Sequence, residues 1–427
     1  MFGSPPTYSR ASRLLRGWRS ALLGTLLVLF TVSGFSQPAP FQFTKARKHR
    51  VEIPFDLQRN LIILSAKLNG KGPFNFMLDT GVGTSLITDP QLQQQLQLAQ
   101  GQRFRVAGVG EETALEAFMT ESVRVELPGV VAPALSMLVF SDDVLDLSSY
   151  VGVPIHGILG RDIFRSFVVE VQPSDGHLVL FDPDKYKHPR GSRWATLPLE
   201  MEGDKAYITT NVTLHDSLTL PLKLILDTGA GHALSLETGS DKRLTLPPKV
   251  LRTQLGRGLS GYINGYMGRI SSMQLGKYHL NNLLTSFPDD ADVRLRTETF
   301  RNGNIGLELL KRFSLVIDYP HNRLLLKPNS LYHDPFEHDM CGLDLVATGP
   351  DFRSFIVVKI QPASPAAEAE LQPGDQLVAI NLLPASSYSL TQLSRLLHSA
   401  DGRSILFVVR RPDGELHTAM VRLRRQI

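Results

Sequence analysis

Short stretches in which apolar and polar residues alternate recur along most of this chain, and turn residues bound each of them. In the first part of the chain these stretches include residues 61–64, 74–78, 123–127 and 167–171. Alternation with a period of two is typical of half-buried β-strands. Helical patterns are few, because residues 90–98 and 161–166 are each long enough for only about two turns. The pattern therefore predicts a mostly β fold.

The carboxy-terminal part of the chain has a different pattern, in which strand-like and helix-like segments alternate. The strand-like segments are residues 355–360 and 405–410, and the helix-like ones are residues 364–369 and 390–398. This order predicts a small α+β domain. Upstream, the polar segment 182–193 interrupts the β pattern as a linker would. The breaks divide the body of the protein into three predicted domains, residues 41–188, 189–332 and 336–427.

The amino-terminal segment, residues 1–36, has the order of regions found in a secretory signal peptide. It contains four arginines and no acidic residue, then an apolar run at 21–32, then a small-residue stretch ending at Ser36. The run is shorter than the roughly 20 residues that cross a bilayer as a helix, so we expect cleavage near Ser36 and export to the periplasm, cell surface or medium. A retained segment would anchor the protein in a membrane, with the body on the outer side.

Composition and motifs narrow the classes of function. The four arginines of residues 1–36 account for the whole formal charge of +4, so the body has no basic excess that would indicate a nucleic-acid partner. The single cysteine, Cys341, excludes an internal disulfide and a cysteine-based zinc site. The sequence lacks the HExxH, GxSxG and phosphate-loop motifs of other enzyme classes. We therefore expect no metal and no organic cofactor.

The most informative feature is an internal repeat. Leu78-Asp79-Thr80-Gly81 recurs as Leu226-Asp227-Thr228-Gly229, each time at the end of an apolar strand. Each copy is followed by a glycine-containing hairpin segment, at residues 108–110 and 258–268. An apolar-Gly step comes next, and its two copies are Leu159-Gly160 and Ile305-Gly306. The matching order predicts a tandem duplication, so that the body contains two pseudo-symmetric β lobes.

Pairing of two such lobes would bring Asp79 beside Asp227. Two adjacent carboxylates share a proton, so one is an acid while the other is a base at the same pH, as direct attack of water on an amide requires. The remaining motif residues suit support of the loops, the threonines as buried hydroxyls and the glycines as tight backbone: Thr80 and Gly81, Thr228 and Gly229.

The paired motifs and apolar-Gly steps resemble those of aspartic proteases, and the lobes are more similar to the compact retropepsin type than to pepsin. The resemblance covers about residues 46–328. It implies that Asp79 and Asp227 are the catalytic dyad of an aspartic-type endopeptidase, which we expect to act on peptide or protein substrates as a monomer. It also implies two flap hairpins, with Gly108, Gly110, Tyr262 and Tyr266 as candidate flap residues.

The carboxy-terminal domain resembles PDZ domains of bacterial proteases, on the segments 340–343, 364–369 and 371–381. By this resemblance the backbone N–H groups of Cys341, Gly342 and Leu343 bind the carboxylate of a peptide. A C-terminal or internal peptide would add as a strand beside residues 343–345, against the helix at 390–398. The implied role is to recruit or sense substrate, although the groove could instead be filled by neighbouring chain.

Three other interpretations stay open from the sequence. Both Asp-Thr-Gly motifs could be structural turns of a β protein. The protein could be a catalytically inactive, exported peptide-binding protein that uses the cleft and the PDZ-like groove. A glycosidase with paired carboxylates is a third possibility, but its two acids need not come from duplicated turns. The prediction is an exported aspartic endopeptidase of two β lobes and a PDZ-like domain.

Overall fold

The computed structural model of the protein describes residues 40–106, 115–215, 217–258, 261–294 and 300–427. The predicted signal peptide and the candidate flap residues Gly108 and Gly110 lie outside these residues. In the described part of the chain the structure is mostly β, which confirms the predicted fold class. No helix in these ranges is long and apolar enough to cross a membrane.

The first lobe consists of short and medium strands with brief helices between them. Its strands are β1 (Gln42–Phe43), β2 (Arg50–Pro54), β3 (Asp56–Gln58), β4 (Leu61–Leu68), β5 (Lys71–Leu78), β6 (Leu86–Ile87), β7 (Arg103–Val106), β8 (Leu115–Leu127), β9 (Val130–Phe140), β10 (Gly157–Leu159), β11 (Val168–Gln172) and β12 (His177–Phe181). Its helices are α1 (Gln91–Leu96), α2 (Leu147–Val151) and α3 (Asp162–Ser166), and a 3-10 turn follows at Pro183–Lys185.

The second lobe repeats this arrangement. Its strands are β13 (Ala195–Pro198), β14 (Glu200–Glu202), β15 (Lys205–Thr213), β16 (Thr219–Leu226), β17 (Leu234–Leu236), β18 (Val250–Gly258), β19 (Gly261–Leu275), β20 (Tyr278–Pro288), β21 (Gly303–Ile305), β22 (Phe313–Asp318) and β23 (Arg323–Pro328). Its helices are α4 (Asp290–Arg294) and α5 (Leu307–Leu310), with a 3-10 turn at Thr238–Ser240.

In each lobe the apolar-Gly step forms a short strand inserted beside the strand that ends in Asp-Thr-Gly. In the first lobe β10 lies parallel to β5 and antiparallel to β6. In the second lobe β21 lies parallel to β16 and antiparallel to β17. The last residue of each inserted strand pairs with the leucine before the aspartate, Leu159 with Leu78 and Ile305 with Leu226. The two lobes are therefore equivalent strand for strand at the motifs, as the repeat predicted.

A sheet built from both lobes joins them, in the order β13-β23-β22-β11-β12-β2. At its centre β11 and β22 pair antiparallel, with Glu170 opposite Val316. Every residue of β22 is buried, since Phe313, Leu315 and Ile317 belong to one apolar cluster and Val316 to another. Apolar side chains of the two lobes also share one continuous core, which includes Leu78, Leu226 and Phe313. This joint fixes the two motif loops relative to each other.

The carboxy-terminal domain has its own apolar core. Its strands are β24 (Leu343–Thr348), β25 (Ser354–Ile360), β26 (Gln376–Ile380), β27 (Leu383–Pro384), β28 (Ser404–Arg410) and β29 (Leu416–Arg422), and its helices are α6 (Pro365–Glu368) and α7 (Leu390–Leu397), with a 3-10 turn at Ala385–Ser387. Helix α7 begins at a capping box, in which Ser389 and Gln392 satisfy each other's backbone N–H groups. Strand β24 forms an edge of the sheet.

Candidate active site

Two equivalent loops bring the Asp-Thr-Gly motifs together at the joint between the lobes. Each loop is anchored to the inserted strand of its own lobe, because the N–H of Asp79 donates to the carbonyl of Leu159 at 3.0 Å and the N–H of Asp227 donates to that of Ile305 at 3.0 Å. The equivalent backbone bonds give the two aspartates matching positions. The carboxylates of Asp79 and Asp227 both reach the same point beside Gly81, so the structure brings the two predicted residues together.

The two threonines lock the loops across the lobe boundary. The N–H of Thr80 donates to Thr228 Oγ1 at 3.1 Å, and the N–H of Thr228 donates to Thr80 Oγ1 at 3.0 Å. Each hydroxyl then donates onward across the boundary, Thr80 to the carbonyl of Leu226 at 2.6 Å and Thr228 to that of Leu78 at 3.0 Å. Both threonines are fully buried, so these bonds are shielded from water.

The glycines of the motifs leave room for the carboxylates. A Cβ atom on Gly81 would lie 3.1 Å from Asp79 Oδ1 and 3.2 Å from Asp227 Oδ1, which means that both carboxylates face the same point. A Cβ atom on Gly229 would overlap the Asp79 carboxylate. The N–H of Gly81 donates to Asp79 Oδ1 at 2.6 Å, and that of Gly229 donates to Asp227 Oδ1 at 3.1 Å. The glycines therefore combine close packing with hydrogen bonding to the acids.

Burial and the facing carboxylate change the acidity of Asp79. Its side chain is buried, and burial together with the negative charge of Asp227 raises the pKa of Asp79 to about 7. The N–H groups of Gly81 and Gly229 and the charge of Lys205 act in the opposite direction but are weaker. Near neutral pH the pair therefore holds a proton that an exposed aspartate would have lost.

Asp227 accepts a hydrogen bond from a side chain, whereas the hydrogen bonds found for Asp79 among the described residues come from backbone N–H groups. Asn304, the middle residue of β21, donates from Nδ2 to Asp227 Oδ2 at 2.7 Å. His232 Nε2 lies 3.2 Å from Asn304 Oδ1. Neither residue was assigned a role from the sequence. A comparison of the two repeats could have identified Asn304, because it is a polar residue at the position where the first lobe has the apolar Ile158.

Turns from each lobe contact the loop that follows the motif of the other lobe. The turn between β3 and β4 reaches the second lobe, where Asn60 Nδ2 donates to the carbonyl of Gly231 at 3.0 Å. The turn between β14 and β15 reaches the first lobe, where Asp204 forms an ion pair with Arg161 and lies against Gly83. These reciprocal contacts support both motif loops from outside.

A tyrosine is buried close to the dyad. Tyr319 stacks on Phe164 with 5.5 Å between ring centroids, and its hydroxyl has no hydrogen-bond partner in the part of the chain that the structure describes. Burial, and then the charges of Asp79 and Asp227, raise the pKa of this phenol. Tyr319 therefore stays protonated and places no charge near the carboxylates.

The predicted flap tyrosines lie on β19, the second strand of the hairpin formed by β18 and β19. Tyr262 is 43% exposed and is covered by the guanidinium of Arg257 at 5.0 Å. Tyr266 lies opposite Arg252 and is contacted by its guanidinium at 4.9 Å. Arg257 also donates to the carbonyl of Val144 in the first lobe at 2.5 Å. The hairpin of the second lobe thus reaches across to the first, and the flap roles of the two tyrosines stay a prediction.

The predicted carboxylate-binding loop of the carboxy-terminal domain is occupied by a side chain of the same chain. The N–H groups of Cys341, Gly342 and Leu343 donate to the carboxylate of Asp339 at 3.0, 2.5 and 2.9 Å. All three residues are buried. A peptide carboxylate could use these donors only after Asp339 moves away, and their role in peptide binding stays a prediction.

The edge strand predicted to receive a peptide is covered by the first lobe. Helix α2 lies alongside β24, and Gly152 packs directly on Leu390 at the start of α7. Thr391 links the same end of α7 to the turn between β3 and β4, because it accepts from the N–H of Arg59 at 3.2 Å and donates to Gln58 Oε1 at 2.6 Å. The groove in this structure therefore contains neighbouring chain.

Comparisons with known proteins agree with this architecture. A family model described as aspartyl protease matches residues 64–163 and 210–309, one segment in each lobe, and a PDZ domain model matches residues 356–411. The model that matches both lobes is that of the aspartic proteases. The chain consists of two retropepsin-like aspartyl protease lobes followed by a carboxy-terminal PDZ domain, which confirms the resemblance found in the sequence and supports a protease-type function.

The crystal structure of basic 7S globulin from soybean is similar over 67% of this chain and 97% of its own, with 10% sequence identity and a TM-score of 0.38. No curated protein matches the sequence. Among the described residues there is no group of three or more histidine, cysteine, aspartate or glutamate side chains that could hold a metal ion.

Proposed function

We propose that this protein is an aspartic endopeptidase in which Asp79 and Asp227 share one proton and activate a water molecule between them. The observation that carries the proposal is the meeting of both carboxylates at Gly81, combined with the raised pKa of Asp79. An acid and a base are then present together near neutral pH, which is the requirement for attack of water on an amide.

The two acids divide the reaction between them. The ionised aspartate takes a proton from water as the oxygen of that water attacks the carbonyl carbon of the scissile bond. The protonated aspartate donates its proton to the carbonyl oxygen. The tetrahedral product then expels the amine after proton transfer to its nitrogen. The substrate is an extended peptide held in the cleft between the lobes, under the two hairpins.

The proposed role of the PDZ domain is to sense peptides through reversible binding. A peptide that adds to β24 competes with α2 of the first lobe, so binding would undock the domain from that lobe. Undocking would also break the bonds from Thr391 to the turn at Gln58 and Arg59. That turn continues into Asn60, which supports the motif loop of the second lobe through Gly231. Peptide binding at the PDZ domain would therefore change the support of the dyad.

Export is part of the proposal and depends on residues 1–36. Their arginines and apolar run have the order of a secretory signal, and removal near Ser36 would leave the lobes and the PDZ domain intact. The proposed location is outside the cytoplasm. Expression of the full chain, followed by fractionation and sequencing of the mature amino terminus, tests this part separately from catalysis.

The test of catalysis compares the wild-type chain with Asp79→Asn and Asp227→Asn on a denatured protein and a peptide library from pH 3 to pH 8. Asp184→Asn is the matched control, because Asp184 is exposed and far along the chain from both motifs. We expect both dyad variants to lose cleavage and the control to retain it. Absence of cleavage by wild type at every pH would favour the peptide-binding alternative, and failure to bind a statine-type inhibitor would contradict a shared-proton dyad.

A further inference from the structure

The two halves of the dyad have different surroundings, although the lobes repeat each other. Asn304 and Ile158 occupy the same position of the inserted strand. Asn304 pairs with Ile225, and Ile158 pairs with Met77. Ile225 and Met77 each lie two residues before the aspartate of their own lobe. Asn304 donates to Asp227 at 2.7 Å. Ile158 is buried in an apolar cluster, and its side chain has no hydrogen-bond donor for Asp79.

The hydrogen bonds between Asp227, Asn304 and His232 have a fixed direction. An ionised carboxylate only accepts, so the Asn304 amide nitrogen faces Asp227 and the amide oxygen faces His232. His232 must then carry a proton on Nε2. Burial lowers the pKa of His232, although the charge of Asp227 acts in the opposite direction, so near neutral pH the ring is the neutral Nε2–H form.

We propose that Asn304 and His232 are positioning residues that keep the negative charge of the dyad on Asp227 and the shared proton on Asp79. The inference rests on the proposed function and assigns each acid its role. Asp227 is then the base that takes the proton from water, and Asp79 is the acid that protonates the carbonyl oxygen.

The proton balance of one turnover follows from this assignment. An O–H bond of water breaks, its proton goes to Asp227, and the C–O bond forms as the Asp79 proton moves to the carbonyl oxygen. The C–N bond then breaks as the proton on Asp227 goes to the leaving nitrogen. Asp79 recovers a proton from one hydroxyl of the tetrahedral carbon, so one water is consumed and the dyad returns to its starting state.

Other charged and titratable groups near the dyad do not reverse the assignment. Lys205, which begins β15, favours ionisation of Asp79 but is outweighed by burial and by Asp227. Tyr319 is kept neutral by burial. The charge of Arg161 is paired with Asp204, and Arg161 also interacts with Tyr319. Among the described residues, Asn304 is a side-chain hydrogen-bond donor on Asp227 that has no counterpart at the equivalent position beside Asp79.

The experiment measures kcat/KM against pH for wild type, Asn304→Leu, His232→Leu and His232→Gln. Asn304→Leu removes a hydrogen bond to a charged group, so the acidic limb, on which the fully protonated dyad loses its first proton, should move to higher pH by about one unit. The alkaline limb should stay in place, because the singly and the doubly ionised dyad lose the same donor. His232→Leu should shift the same limb by less, and His232→Gln, which keeps an N–H donor, should restore it. Profiles that superimpose on wild type would overturn the proposal.

A second readout does not depend on activity. Nitrogen-15 NMR of the histidine rings, with His232 assigned from His232→Gln, should show the Nε2–H tautomer at pH 7 in wild type, and the signal should change in Asn304→Leu. An Nδ1–H tautomer would contradict the inferred direction of the hydrogen bonds even in an active enzyme. If wild type cleaves nothing, the proposed function fails, and the tautomer still decides whether Asn304 presents its donor to Asp227.

Discussion

Replacing Asp79 by asparagine should stabilise the folded protein at neutral pH, although it removes a proposed catalytic group. The folded state raises the pKa of Asp79 from 3.8 to about 7, so the folded protein binds this proton more tightly than the unfolded chain does. The free energy of unfolding therefore falls as the pH rises from about 4 through 7. Asparagine has no proton to lose and avoids this cost.

The magnitude follows from the size of the shift. One unit of pKa corresponds to about 1.36 kcal/mol, so the rise from 3.8 to about 7 sets an upper limit of about 4 kcal/mol. Because the two acids share the proton, removing either one relieves the repulsion. We expect Asp79→Asn to exceed wild type by about 2 to 4 kcal/mol at pH 8 and by little at pH 4.

The assay is urea unfolding at several values of pH, followed by tryptophan fluorescence in protein that lacks residues 1–36. Trp194 is then the only tryptophan, and it packs on Val168, Val316 and Leu325 of the sheet that both lobes share. Its signal reports on the lobes rather than on the PDZ domain. Asp184→Asn is the control and should follow wild type at each pH.

The outcome that refutes the reasoning is a stability difference between Asp79→Asn and wild type that does not change with pH. Such a result would mean that Asp79 loses its proton at the same pH in the folded and unfolded states. The two carboxylates would then not interact strongly, and a shared-proton mechanism would lose its basis. The result is independent of any substrate, so it tests the dyad even when no cleavage is detected.

Further predictions concern the loops and the domain contact. Thr80→Val should destabilise the protein by about 2 to 3 kcal/mol in urea unfolding, because it leaves a buried N–H without an acceptor, whereas Thr80→Ser should lose less; equal losses would contradict this. Gly229→Ala should reduce kcat more than 100-fold, since its Cβ overlaps the Asp79 carboxylate; near-normal turnover would show that the loop can move. Gln58→Ala should tighten binding of a labelled peptide with an apolar C-terminus in fluorescence polarisation, as it removes the side-chain acceptor of the Thr391 hydroxyl, a contact that docks the PDZ domain; unchanged affinity would argue against competition with α2.

The sequence was sufficient for the architecture because the architecture is repeated. Two copies of Asp-Thr-Gly at equivalent positions predicted two lobes, and strand alternation predicted their β content; both are confirmed. The segments predicted as the strands and helices of the PDZ domain also occur, for example α7 at Leu390–Leu397. Such features depend on local periodicity and motif spacing, which a single sequence contains.

The differences within the site depend on contacts between distant residues and were not predicted. Asn304 reaches Asp227 only because β21 is inserted beside β16. The paired residues of these two strands are 79 residues apart along the chain. Asp339 fills the loop at Cys341 because of a tight local turn that the PDZ resemblance does not specify. Docking of α2 on β24 joins parts of the chain about 200 residues apart.

Because the shared sheet forms within one chain, the pairing of the two aspartates does not depend on protein concentration. Because β11 and β22 pair within one chain, the two aspartates meet at an effective concentration that is set by covalent connection and not by the amount of protein. Cleavage per molecule should then be the same at nanomolar and micromolar protein. The same covalent link lets each half acquire its own residues: a symmetric dimer would carry Asn304 twice or not at all, whereas this chain has an asparagine beside one acid and Ile158 beside the other.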